Sequence, residues 1–172
     1  MPFDSNRALT SRGFGFAIAA LIFGLDRLTK WLIETRVGFF DTYKIIPGFF
    51  DIVRSANRGV AFGIFNDSNS EWRTKLLILG TVAACVAVSA MLWKAERLDR
   101  SALWGLALIL GGAAGNLFDR TVFGRVTDFL LLYIGSYQWP TFNIADSAIV
   151  IGSGLLILDQ LRGKRRQTAH VS

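Results

Sequence analysis

"FNIADSAIVIGSGLLIL", residues 142–158, would be a plain lipid-facing helix but for one carboxylate, Asp146. A second aspartate, Asp128, lies eighteen residues earlier in "GRVTDFLLLY" (124–133), at the edge of another apolar run. A charge taken into hydrocarbon is costly, so its position carries information about what the chain does.

The chain around these stretches has 172 residues, 52% of them hydrophobic, and a mean hydropathy of +0.40. That is too apolar for an ordinary soluble domain and too long for a single anchor, which points to a small polytopic membrane protein. Segments 76–93, 101–118 and 141–161 each match the roughly 20 residues needed to cross about 30 Å of hydrocarbon. The first apolar run, 13–25, has the length of a signal-peptide core and follows Arg7 and Arg12. No small-x-small cleavage site follows it, however, and the apolar pattern resumes in "LTKWLI" (28–33). The expectation is an all-α membrane protein of one domain, 1–172, with four transmembrane helices at 13–33, 76–93, 101–118 and 141–161.

Four spans put both termini on one side. The tail before residue 13, the link 94–100 and the tail after 161 hold nine Lys or Arg in about thirty residues. The loops 34–75 and 119–140 hold eight in about sixty. Long loops weigh less in setting orientation, so the density places both termini in the cytoplasm and both loops outside. The net charge of +6 is then a topology signal rather than a mark of nucleic-acid binding. Trp31, Trp72, Trp93, Trp104 and Trp139 all fall near span ends, where an amphipathic ring prefers the headgroup region. The single Cys85, mid-span in an Ala/Val-rich stretch, reads as an inert thiol. With His170 alone in the tail, neither a Ser-His triad nor a His-rich metal site can be assembled.

The polar residues converge at one depth. Asp26 and Lys30, four apart, share a face of the first helix and can pair. In "GGAAGNLFDR" (111–120), Gly111 and Gly115 form a small-xxx-small face, while Gly112, Asn116 and Arg120 form a second stripe. Asp119 is expected to point elsewhere, into solvent. The fourth helix returns from the outside, so Asn143 and Asp146, three apart, lie in its first turns, with Asp128 in the loop before it. The inner halves of the helices are almost free of polar groups. Two aspartates flanking a water suffice for peptide hydrolysis: one takes the water's proton, and the other, protonated, polarises the carbonyl. Arg120 and the asparagines could orient that pair or hold substrate backbone. Intramembrane carboxylates serve proton or ion translocation as well, and a non-catalytic scaffold is a third class. The loop 39–70, with "YKIIPGFFDIVRSANRGVAFGIF" at 43–65, mixes β-prone and aromatic residues with Pro47, Gly48, Gly59 and Gly63, and reads as short strands on the outer surface.

In order along the chain, "DRLTK" (26–30), "NRGVAFGIF" (57–65), "GGAAGNLFDR" (111–120), "GRVTDF" (124–129) and "FNIADSAI" (142–149) resemble the bacterial lipoprotein signal peptidases, or signal peptidase II. The resemblance covers nearly the whole chain. It implies an aspartic endopeptidase of the bacterial inner membrane that removes signal peptides from prolipoproteins, cutting before a diacylglyceryl-modified cysteine. The catalytic pair then falls on Asp128 and Asp146. Asn57, Gly59, Gly112, Asn116, Arg120, Asn143 and Ala145 fall on positions that support the dyad or line the substrate groove, and Asp26 and Lys30 on the first-helix pair. The outer loop would be a small β-cradle between helices 1 and 2, with a flexible segment closing over substrate. No metal or other cofactor is implied, and the enzyme is expected to act as a monomer surrounded by membrane lipid.

Overall fold

The computed structural model describes residues 5–59, 71–94 and 98–169. Among them are four helices, α1 (Ser5–Arg36), α2 (Glu71–Trp93), α3 (Arg100–Val122) and α4 (Ile144–Ala169). Four strands accompany them: β1 (Thr42–Ile46) and β2 (Phe50–Asn57) between α1 and α2, and β3 (Val126–Ile134) and β4 (Tyr137–Gln138) between α3 and α4.

Among the described residues, three helical segments are long and apolar enough to cross a membrane: Thr74–Trp93, Arg100–Val122 and Ile144–Arg162. Helix α1 carries Asp26, Arg27, Lys30 and Glu34 in its C-terminal half. Asp26 and Lys30 are fully buried, so α1 is an integral part of the packed fold.

Small residues hold the helices together. Where the two sides of a contact are both apolar in an apolar solvent, close backbone approach replaces the hydrophobic drive of a water-soluble core. A Cβ on Gly111 would lie 2.6 Å from the Ala19 carbonyl of α1, and one on Gly115 would lie 2.5 Å from the Asp26 carboxylate. One on Gly112 would strike the Ala145 carbonyl of α4. Deeper in the same α3–α4 contact, Gly105 and Gly152 face each other so closely that a Cβ on either would meet the other's carbonyl, at 2.8 and 2.5 Å. Helix α3 is therefore the central post, with the Gly111/Gly115 line against α1 and the Gly112 line against α4. An aliphatic cluster of Ala19, Leu92, Leu103, Leu106 and Leu110, joined by Phe16, Cys85 and Val88, packs the end of the bundle away from the sheet. Here Ser101 Oγ also donates to Asp159, so this end carries one polar tie between α3 and α4.

The β-structure is wider than the expected strands between the first two helices. A four-stranded antiparallel sheet of order β1-β2-β3-β4 recruits two strands from the 119–140 loop. Asp128 accordingly lies in β3, opposite Ser55 of β2, and not in a loop. "VTDFLLLYI" is rich in branched and aromatic residues, and β2 supplies an antiparallel partner for its backbone. The sheet joins the bundle through Ile33, Val37 and Phe129, with Ile52, Leu130 and Ile144 around them. The parts of the "NRGVAFGIF" motif and of the expected closing segment that fall at 60–70, and His170, lie outside the described residues. All five tryptophans are at least 42% exposed, as rings facing a bilayer interface require.

Candidate active site

Helix α4 begins at Ile144, three residues later than the apolar run, and this one-turn difference builds the site. Asn143 is therefore the residue that caps the helix and not a member of its first turn. Its Oδ1 accepts the Asp146 N–H at 3.0 Å, and the Asp146 carboxylate reaches back to accept the Asn143 N–H at 3.3 Å. This is a reciprocal capping box with Asn at the cap and Asp at the third helical position. The remaining amide of Asn143 donates to Asp128 Oδ1 at 2.7 Å. One buried asparagine thus touches both aspartates, bringing strand β3 and helix α4 to a common point.

Three amides converge on the two carboxylates, and each is held in a single orientation. Asn57 Oδ1 accepts the Gly59 N–H at 2.9 Å, leaving its Nδ2 to donate to Asp128 Oδ2 at 3.0 Å. Asn116 Oδ1 accepts from the Lys30 ammonium at 3.0 Å, so its Nδ2 faces Asp146 Oδ1 at 2.7 Å. Flipping Asn116 would set an NH2 group against an ammonium and a carbonyl against a carboxylate. Asn143 is fixed in the same way by the Asp146 N–H and the Asp128 oxygen.

The environments of the two aspartates differ. Asp128 is 2% exposed, whereas Asp146 is half-buried. Burial first, and then the neighbouring Asp146 charge, push the Asp128 pKa up to about 6, against the opposing pull of the Asn57 and Asn143 donors. Asp128 therefore keeps its proton to higher pH than an ordinary aspartate.

Behind the pair lies a second polar layer. Lys30, fully buried, binds Asp26 at 2.7 Å and Asp119 at 2.6 Å. Asp26 Oδ1 accepts the Ala145 N–H at 3.0 Å, satisfying one of the orphan donors at the start of α4 from another helix. Arg27 pairs with Asp119 and stacks over Phe118 and Phe123, at 4.9 and 5.2 Å from the ring centroids.

Every expected site residue except Arg120 lies on this network or against its backbone: Ala145 through its N–H, Gly59 through the Asn57 turn, and Gly112 through the contact that seats α4. Half-buried Arg120 donates only to the Asn116 carbonyl, at 3.4 Å, and to neither aspartate, although the charges of Asp146 and Asp128 act on it. Asp119 corrects the expectation of a solvated side chain: it is 1% exposed and ion-paired. The Gly111/Gly115 line that packs on α1, continued by four residues, reaches Asp119, so the helical period carried a signal for it. Glu34, which accepts from Thr127 beside Asp128 at 2.6 Å, had no such signal, because its partner lies on a strand.

The signal peptidase (SPase) II family model matches residues 18–162. A lipoprotein signal peptidase of Solibacter usitatus is 66% identical over 157 residues, covering 91% of this chain and 95% of that protein. Another, from Maridesulfovibrio salexigens, is 37% identical over 86% of this chain and 94% of its own length. A solved structure described as a bacterial membrane enzyme superposes with a TM-score of 0.79 at 30% identity, covering 88% of this chain and 90% of the other.

Proposed function

Because this chain belongs to the signal peptidase II family, we propose that it is a membrane-embedded aspartic endopeptidase that removes signal peptides from prolipoproteins, with Asp128 and Asp146 as its catalytic pair. The observation that carries the proposal is the double contact of Asn143, whose side-chain amide donates to the buried carboxylate from β3 and whose backbone N–H donates to the half-buried one from α4.

In the proposed reaction, ionised Asp146 takes a proton from a water lying between the pair while that water's oxygen attacks the scissile carbonyl carbon. Asp128 holds a proton and gives it to the carbonyl oxygen, producing a neutral tetrahedral diol. On collapse, the proton now on Asp146 passes to the leaving nitrogen, the C–N bond breaks, and a diol hydroxyl returns its proton to Asp128. Atoms and charge balance, and the dyad ends as it began. Asn57, Asn116 and Asn143 hold the two carboxylates through the cycle. Arg120, bound to neither, is placed to hold substrate backbone carbonyls.

The substrate we propose carries diacylglycerol on the cysteine that follows the cut. Such a substrate keeps its acyl chains in the bilayer and presents its peptide near the outer interface. Helix α1 then serves as a fourth span, its charges satisfied against α3 and α4. Both termini lie in the cytoplasm, the sheet lies on the outer face of the bacterial inner membrane, and residues 1–172 act as a single monomeric domain. Asp128→Asn and Asp146→Asn are each expected to abolish cleavage of a diacylglyceryl-modified prolipoprotein in detergent while keeping a cooperative thermal melt. Cleavage retained by either variant sinks the dyad.

A further inference from the structure

Four charged side chains that never reach the reaction centre lie directly behind it: Asp26, Arg27 and Lys30 of α1 and Asp119 of α3. Lys30 Nζ donates to Asp26 Oδ2 at 2.7 Å and to Asn116 Oδ1 at 3.0 Å, and it ion-pairs with Asp119 Oδ2 at 2.6 Å. Asp119 shares its other oxygen with Arg27. The group carries two positive and two negative charges, so it is neutral as a unit. A buried ion group is weak evidence for stability, because desolvation offsets the attraction between its members. What this one does supply is a fixed direction: Lys30 donates to Asn116, whose amide passes to Asp146, while Asp26 holds the Ala145 N–H at the start of α4.

We propose that Asp119 is a positioning residue of the reaction: by balancing Lys30 and Arg27 it keeps the ammonium aimed at Asn116 and offsets the positive charge standing behind the aspartate pair, which sets the pH range over which the pair works. This rests on the aspartic dyad proposed above. Asp119 binds Lys30 and Arg27 and neither aspartate of the pair, so it acts through Lys30 and Asn116. The other charges facing the pair are Arg120 from α3, Glu34 from α1 through Thr127, and Arg54 of β2, which is tied to the Glu34 and Val37 carbonyls. None of them binds Lys30, and of the three Arg120 also feels the Asp119 charge directly.

Two single variants unbalance the group in opposite senses. Asp119→Asn leaves one uncompensated positive charge behind the pair. The ionised forms of both aspartates become easier to reach, and the pH profile of kcat/KM moves to acid by about one pH unit. Arg27→Gln leaves one negative charge, and the profile moves to alkali by a similar amount. The double variant restores neutrality, and its profile returns to that of the native protein. The readout is cleavage of a diacylglyceryl-modified prolipoprotein in detergent micelles across pH, each variant first checked by thermal melt. Opposite shifts that cancel in the double variant support the proposal. Profiles that keep their shape and position, with only a lower plateau, overturn it and leave the dyad standing, since the dyad is tested separately by Asp128→Asn. If Asp119→Asn does not fold, the alkaline shift of Arg27→Gln decides: its presence supports the proposal and its absence overturns it.

Discussion

Asn143 and Asp146 close a capping box on each other at the start of α4, with N–H···O distances of 3.0 and 3.3 Å. A group proposed to take a proton from water therefore also forms part of a helix cap, and it cannot rotate away without releasing that cap. The helix N-terminus in turn favours its negative charge.

The two duties of Asn143 are separable by mutation. Asn143→Ser keeps a capping oxygen for the Asp146 N–H but loses the donor to Asp128, so stability should change by only a few tenths of a kcal/mol while kcat falls about 10- to 100-fold. Asn143→Ala loses both, adding about 1 kcal/mol of destabilisation to the same loss of rate. Thermal melts and initial rates in one detergent, run on both variants, check the split.

Burial of Asp128 should appear as pH-dependent stability. With the folded pKa raised to about 6 from an ordinary 3.8, the folded state binds a proton that the unfolded chain releases, so this group's contribution is fully present below about pH 4 and is lost as pH rises through 6. The loss amounts to about 3 kcal/mol across that window. Asp128→Asn does not titrate. The melting temperature of the variant relative to the native protein should therefore rise between pH 4 and pH 7, and a gap independent of pH would contradict the assignment.

The glycines of the central helix should tolerate no side chain. Gly112→Ala drives a methyl into the Ala145 carbonyl and displaces the first turn of α4, with an expected cost of about 1–3 kcal/mol and most of the activity. Gly24→Ala, where a Cβ meets nothing within 4 Å, should leave melting temperature and rate near native. Measuring the pair together separates backbone contact from the general effect of losing a glycine.

The thiol of Cys85, packed beside Leu92 and Val88 in the aliphatic cluster, should be dispensable. Cys85→Ala should keep native kcat, and a large loss of rate would reopen the choice of nucleophile.

Much of this protein is determined locally and is therefore open to reading from the chain alone. Three apolar helices follow from hydropathy over some twenty residues. The pairing of Asp26 with Lys30 follows from helical spacing, as does the shared stripe of Gly112 and Asn116. The motifs around Asp128 and Asp146 carried the family, since their types and order survive in the linear text. Three features depend on residues distant in sequence, and the tertiary structure alone decided them. Asp128 became a strand residue only because β2, some seventy positions earlier, pairs with β3. Asp119 looked solvated beside Arg120 because only the packing of α1 on the Gly111/Gly115 face shows that its side reaches Lys30. The unequal standing of the two aspartates came last: spacing makes them alike, but the sheet and the helix bury one and leave the other half open, and that desolvation lets Asp128 keep its proton to higher pH than an ordinary aspartate.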